Sequence, residues 1–499
     1  MRKRMDRGSA WARLVLTRLV IAAVTAPLSG CVLNRAADRE VADTIARFAR
    51  ERTQAGESYA RGTRLAPQAT TRPAASAEGT RPEPASLREY IVLALEQNPE
   101  IRAAEEMARM RAARVPQATA LPDPMVMTRT LPQPNEFADG SNYFTLGVQQ
   151  VLPVPEKLDR AGRVALQEAR MALQELQRAR LNVIADVKRA YFRLYIVDRM
   201  IEVDRTNQDL LRGLIDAARA QVASGRRRQD DVLRAQVELS NIESQLVELQ
   251  QERVTTAAML NQVLSRPPGA AVAPLEEFDV RSAELQLDAL IAAAAERSPD
   301  LQRLREQLER DRQAVELARL AYWPDFTVGF EWMYMRPRAA FVPPPDPTTG
   351  MTPMIDRMSE AGTDSWAILF GANMPVWIEK IEAGIREARS RLAASQHEYA
   401  AARNRVSFEI EDALARVRAQ QELAAIFGST IVPQAQQAYE VSRAAYSAGE
   451  SDFLFVIDNW QKWLMFTIQY HRALGELERG IADLEAAIGV SLEDVGGRS

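Results

Sequence analysis

The chain repeats itself, and this limits its possible folds more than any single motif does. "NPEI" at residues 98–101 returns as "SPDL" at 298–301, an offset of 200. "LPDP" (121–124) returns as "WPDF" (323–326), "LPVPEKLDRAG" (152–162) as "MPVWIEKIEAG" (374–384), and "SGRRRQDDVLRAQ" (224–236) as "AGESDFLFVIDNW" (448–460), at offsets of 202, 222 and 224. Echoes in one order, with offsets that only grow, describe a duplication. Each half must therefore fold the same way. The first echo predicts a helix start: Asn98 or Ser298 caps, Pro99 or Pro299 takes the first helical position, and Glu100 or Asp300 faces the positive end of the helix dipole. Ser86-Leu87-Arg88-Glu89 fits a capping box just upstream.

Within each repeat the hydrophobic period changes. In 326–334, Phe326, Val328, Phe330, Trp332 and Tyr334 alternate with Thr327, Gly329, Glu331 and Met333; in 366–374, Trp366, Ile368 and Phe370 alternate with Ala367, Leu369, Gly371 and Asn373. Residues 144–152 place Phe144, Leu146, Val148 and Leu152 on one face, and 125–131 form a fainter fourth candidate. These are period-2 strands of the length that crosses a bilayer at a tilt, with aromatics on the apolar face. Elsewhere the period is helical. From Lys157 to Ala223 there is no proline, a helix of roughly 100 Å at 1.5 Å per residue. Beyond Gly225 comes the seam Val232, Ala235, Leu239, Ile242, Leu246, Leu249, spaced 3, 4, 3, 4, 3 as in a coiled coil. Repeat 2 matches it, with a helix from Lys380 to Tyr446, a turn at Gly449, and the seam Ile457, Trp460, Leu464, Thr467, resuming in new phase at Leu474, Leu477, Ile481, Leu484, Ile488. Each repeat is thus expected to carry a long antiparallel hairpin with its tip turn at Gly225 or Gly449.

Four strands cannot close a membrane barrel, which needs about eight at the least, and open strand edges are not tolerated in lipid. Chains must therefore share a barrel. Two chains would fill the interior with side chains, so a conducting pore favours three.

The N-terminus sets the compartment. Arg2, Lys3, Arg4 and Arg7 precede an apolar run, Leu19 to Leu28, and then Ser29 and Gly30, as in a secretory signal. Leu28-Ser29-Gly30-Cys31 resembles the lipobox of bacterial lipoproteins, in which the cysteine becomes the acylated first residue. Cys31 is the chain's one cysteine and can form neither an internal disulfide nor a zinc site by itself. Val32 at the next position resembles lipoproteins sent on to the outer membrane. Residues 1–30 hold six Lys/Arg and one acid, so their removal takes the formal net charge from −4 to −9. An acidic exported chain argues against nucleic-acid binding. The expected division is a signal peptide at 1–30, a lipidated extension and Ala/Thr/Pro-rich linker at 31–86, repeat 1 at 87–274 and repeat 2 at 275–499.

The plan of short helix, two strands and long hairpin, twice over, resembles the TolC-family outer-membrane factors across residues 87 to about 490. "LPDPM", "VLPVPEKL" and "WPDFTVGFEWMYM" are similar to the CusC- and CzcC-like branch beside heavy-metal efflux pumps. The resemblance implies a mainly α fold with membrane β: a homotrimer in which four strands per chain build a 12-stranded barrel, continued by an α-helical barrel across the periplasm. It implies an outer-membrane exit duct of a tripartite pump, passively conducting substrate such as heavy-metal cations. The implied partners are a periplasmic adaptor and an inner-membrane pump of the resistance-nodulation-division type. No cofactor is implied beyond the covalent lipid on Cys31. A drug or secretion channel of the same fold, and a lipid-anchored periplasmic coiled-coil adaptor, are the competing readings. In the family the periplasmic mouth is closed by links between hairpins and ringed by acids. Counted from the tip glycines, Tyr446, Asp458 and Asp231 match gate positions, and Phe455 stands where the family has a second ring acid.

No catalytic pattern accompanies this: there is no Walker A loop, G-x-S-x-G or H-E-x-x-H. His471 falls near the apolar seam, where a structural role is expected, and His397 lies in a charged, solvated stretch. Met333, Met335, Met351, Met354 and Met358 cluster around one Pro-rich loop, with Met125 and Met127 near the equivalent first strand. Thioethers suit Cu(I) or Ag(I); the alternative is methionine as flexible filler. Phe326, Val328, Phe330, Trp332, Trp366, Ile368 and Phe370 are the expected lipid-facing set.

Overall fold

The two echoes that open the repeats fold alike. The computed structural model describes residues 37–51, 54, 86–137, 140–223, 228–272, 285–336, 347–350 and 364–496. Helix α1 (Leu87–Gln97) starts at Ser86, whose hydroxyl accepts from the Glu89 N–H, and ends at Asn98 with φ −62° and ψ 124°. Helix α2 (Pro99–Ala112) and the short α3 (Arg114–Thr119) follow. In repeat 2, α6 (Leu287–Arg297) ends at Ser298 with φ −60° and ψ 120°, before α7 (Pro299–Arg319). Asn98 caps α2 as expected, its Oδ1 accepting from the Glu100 N–H at 2.8 Å. Ser298 does not cap in this way: its buried hydroxyl has no hydrogen-bond partner. Gly489 lies against this turn: a Cβ there would come 2.7 Å from the Arg297 carbonyl oxygen and 3.0 Å from Ser298 Cα. Gly489 has φ +91°, a left-handed conformation suited to glycine. Its counterpart 224 residues earlier, Ser265, has φ +56°. There Asn98 Nδ2 reaches the Val263 carbonyl at 3.0 Å, so both repeats lay a helix end on the same kind of turn.

Strands β1 (Met125–Phe137), β2 (Gly140–Leu152), β3 (Phe326–Arg336) and β4 (Ser365–Ala372) form one antiparallel sheet in the order β1-β2-β3-β4. The fainter first strand is thus as long as the second. The register aligns the alternation across all four strands. Val148 faces Val126 on one side and Phe330 on the other, Phe330 faces Ile368, and Val328 faces Phe370. One sheet face therefore gathers Phe144, Leu146, Val148, Phe326, Val328, Phe330, Trp332, Tyr334, Trp366, Ile368 and Phe370. Thr145, Gly147, Thr327, Gly329, Glu331 and Gly371 fall on the other. Phe330 stacks on Trp366 with ring centroids 6.4 Å apart, and Trp332 meets Phe144 edge to face at the same distance.

Helix α4 (Pro155–Ala223) and α5 (Gln229–Val263) form the first hairpin. In repeat 2 the helix expected from Lys380 to Tyr446 is interrupted. Helix α8 (Ile378–Ile426) gives way to a π-helical turn, Phe427–Ile431, before α9 (Val432–Ala448). Pro433 is the reason: its ring clashes with a carbonyl four residues back and it donates no hydrogen bond, and a widened turn relieves both. Gly449, with φ +83°, ends α9; α10 (Phe453–Ile488) returns, and α11 (Leu492–Gly496) follows.

The chain packs as two compact units, and each draws on both repeats. One contains residues 109–169 and 306–396 with residues 37–40, and so holds the sheet; the other contains residues 170–305 and 397–496 with 41–108. The sheet joins the repeats because β2 pairs with β3 across them. Among the described residues the second unit has three apolar clusters. Tyr90, Tyr191, Tyr195 and Leu474 build one, Leu214, Val232, Ile242, Phe453 and Trp460 a second, and Leu301, Ile410, Leu414, Leu484 and Ile488 a third. The expected seams supply them, with Leu239 and Leu464 partly buried at their edge. Lys188 Nζ lies 2.5 Å from Glu485 Oε2, both wholly buried, and Glu485 also accepts from the Leu492 N–H. Removing one partner of such a pair costs about 3–5 kcal/mol, because it strands a buried charge.

Candidate functional site

The ends of the hairpins hold the residues that sequence comparison singled out. Left-handed Gly449 lets the chain turn back, and its N–H returns to the Tyr446 carbonyl at 3.0 Å. This fixes the last turn of α9 and points Tyr446 inward. Its ring packs on Phe453, centroids 5.1 Å apart, and its hydroxyl donates to Asp231 Oδ2 at 3.4 Å. Tyr446 is 1% and Asp231 8% exposed, so the bond lies out of water. Gln221 Nε2 adds a second link between the hairpins, donating to the Ser447 carbonyl at 3.3 Å. The structure thus brings Tyr446 and Asp231 together within one chain, between its two hairpins.

Asp458 and Phe455 lie elsewhere on α10. Phe455 is 63% exposed, and Asp458 is an exposed carboxylate paired with Lys462 Nζ one turn on, at 2.7 Å. Lys462 escaped the sequence reading, although the spacing of four from Asp458 was there to be seen. Gly225, Cys31, Met351, Met354, Met358 and the signal segment lie outside the described residues. Met333 and Met335 stand on β3 opposite Thr145 and Asn142. Met125 and Met127 stand on β1, with β2 between, so these thioethers are not gathered into one site. Among the described residues no group of three or more His, Cys, Asp or Glu is placed to hold a metal ion.

Burial shifts the pKa values of His471 and Asp204. His471 Nδ1 lies 3.3 Å from the Tyr195 hydroxyl, and burial, with the Arg199 charge nearby, lowers the imidazole to about 4. It is neutral at physiological pH, as a seam histidine should be. His397 is exposed. Asp204 is 1% exposed, its Oδ1 has no partner, and burial raises its pKa to about 6. Neither Asp204 nor the Lys188–Glu485 pair was legible in advance, since charges on a long helix read as solvated.

The geometry is that of hairpins tied at their tips and a separate sheet with one apolar face. The family model described as "Outer membrane efflux protein" matches residues 90–266 and 290–490, one segment in each repeat. The chain belongs to the outer membrane efflux protein family. It is 22% identical over 416 residues to the cobalt-zinc-cadmium resistance protein CzcC of Cupriavidus metallidurans, covering 81% of this chain and 90% of that relative. Its fold matches the outer membrane protein VceC of Vibrio cholerae (TM-score 0.66, 19% identity, 82% of this chain and 97% of that one). It matches CusC equally well (TM-score 0.66, 14% identity, 81% and 92%). As a member of the family the protein is an outer-membrane efflux channel and not an enzyme. Family members are trimeric channels that work with an adaptor and an inner-membrane pump. This favours the channel over the coiled-coil adaptor among the competing readings.

Proposed function

We propose that this efflux channel is the exit duct of a pump of the resistance-nodulation-division type and carries heavy-metal cations. Three chains share a 12-stranded barrel, anchored further by a lipid on Cys31 after cleavage of residues 1–30. The duct is built from repeats at 87–274 and 275–499. The observation that carries this reading is the sheet: four antiparallel strands in chain order, with edges at β1 and β4 and one apolar, aromatic-rich face. Lipid tolerates no open edge, so other copies must supply the neighbours. Phe326, Val328, Phe330, Trp332, Trp366, Ile368 and Phe370 then face lipid, while Thr327, Gly329 and Glu331 line the lumen. Tyr446 and Asp231 hold the resting mouth shut, with Asp458 and Phe455 at the constriction. Similarity to CzcC supports metal cargo. A drug or secretion channel is the alternative, and the test separates them. A deletion strain should become sensitive to cobalt, zinc or cadmium and keep its drug tolerance, with metal tolerance restored to wild type by the cloned gene. Purified protein should run as a trimer and conduct in planar bilayers. Drug sensitivity with unchanged metal tolerance would overturn the cargo assignment.

A further inference from the structure

Each chain completes one copy of a bond whose second copy it cannot close alone. Asp325 precedes β3, and Lys157 is the third residue of α4, just after β2. Because β2 and β3 are neighbours, Lys157 Nζ lies 2.7 Å from Asp325 Oδ1 and donates to the Trp323 carbonyl at 2.8 Å. Both side chains are half-buried. The duplication writes the same parts again. Asp123 precedes β1, and Lys380, one residue past the 222 offset from Lys157, is again the third residue of its helix, α8, eight residues beyond the end of β4 where Lys157 is five beyond β2. Yet β1 and β4 are the opposite edges of the sheet. Asp123 and Lys380 are both exposed, and neither has an ion pair or hydrogen bond among the described residues.

Their surroundings differ in the same sense. Leu152, the last residue of β2, and Val154 and Pro155 just beyond it are half-buried. The equivalent stretch after β4 exposes Met374, Val376 and Trp377 at 72%, 66% and 76%, and the other edge exposes Leu121 and Val126. One edge thus presents a cation among apolar groups, and the other an anion among apolar groups. We infer that Lys380 of one chain pairs with Asp123 of the next, repeating between copies the bond that Lys157 and Asp325 make within one. The inference rests on the shared-barrel reading and adds its contact. Strand order supports it: β4 beside the next chain's β1 is antiparallel, as β2 is beside β3. A two-fold contact would instead set Lys380 against Lys380. Head-to-tail pairing of unlike edges generates a closed ring when the rotation between copies closes, as a barrel requires.

A zero-length carbodiimide tests this, since it joins an amine to a carboxylate only where the two already touch. Full-length protein in detergent should yield a Lys157–Asp325 peptide from single-chain bands. A Lys380–Asp123 peptide should come only from bands of two- and three-chain mass, and should be lost in Asp123→Asn and in Lys380→Gln. Each single charge reversal, Asp123→Lys or Lys380→Asp, should lower the temperature at which trimers dissociate, and the two combined should restore it. Three outcomes would overturn the inference while leaving the trimer intact: a Lys380–Asp123 peptide in single-chain bands, its absence from trimers that yield the Lys157–Asp325 peptide, or a double reversal no better than the singles. If light scattering of untreated protein shows no trimer, the shared-barrel reading itself fails, and the inference with it.

Discussion

Tyr446 shows how one side chain can both pack and latch. Its ring sits on Phe453 while its hydroxyl reaches Asp231 at 3.4 Å, a long bond whose value depends on being shielded from water. Tyr446→Phe combined with Asp231→Ala removes the latch and keeps the ring. In planar bilayers the double variant should conduct several-fold more than wild type, and unchanged conductance would place the gate elsewhere. Asp458 acts differently because Lys462 offsets its charge. Asp458→Ala should lower cation preference and weaken block by multivalent cations with little effect on opening, and reversal potentials in a salt gradient will show it. Asp204 opposes the fold at neutral pH. Its carboxyl, raised to about 6 from an ordinary 3.8, is held more readily protonated in the folded protein. Stability from this group is therefore greatest below pH ~4, falls as pH rises to about 6, and is flat above. Asp204→Asn should raise stability at pH 7.5 by about 1–3 kcal/mol, the scale of a shift of about two units, and remove that slope from thermal melts taken between pH 4 and 6. His471, lowered to about 4, works the other way: stability is lost as pH falls from 6.5 toward 4.

At the scale of elements, the strands were legible because their period is two and their register keeps it. Phe330, read from its neighbours as part of an apolar face, does meet Val148 and Ile368 on that face. Arg at Phe330 or Ile368 should cost about 2–4 kcal/mol in refolding from denaturant into lipid, and Arg at Thr327 much less. Equal costs on the two faces would overturn the assignment of lumen and lipid. The hairpin seams were equally legible, as Ile242, Leu246, Leu484 and Ile488 are all buried where the spacing put them. Three features were not. The Ser298 hydroxyl stays unbonded although its pattern is that of Asn98, and no local pattern reports the turn at Gly489, 191 residues on, that lies against it. The π turn at Phe427–Ile431 leaves no mark beyond Pro433. The buried Lys188–Glu485 pair joins groups that look like surface charges in any window of sequence. The link between Tyr446 and Asp231 came from resemblance, since nothing in spacing alone ties residues 215 apart.

For the whole molecule, the shared-barrel proposal makes assembly part of folding through the sheet's two edges, and the lipid is a separate matter. The tetrad ending in Cys31 should give a mature chain that begins with an acylated cysteine by mass spectrometry, and Cys31→Ser should still form heat-resistant trimers because the strands anchor the protein themselves. An unmodified mature chain starting elsewhere would remove the anchor from this account. The π turn bears on how the mouth moves. Tyr446 stands 15 residues beyond Ile431 along α9, an arm of roughly 22 Å at 1.5 Å per residue. A swing of about 10° at the widened turn would carry the Tyr446 hydroxyl about 4 Å on that arm, farther than the whole length of its bond to Asp231. If that bond is the proposed gate, the helix can stay intact on both sides of the pivot while the bond at its far end is broken, and the leverage for opening lies in the shape of one helix.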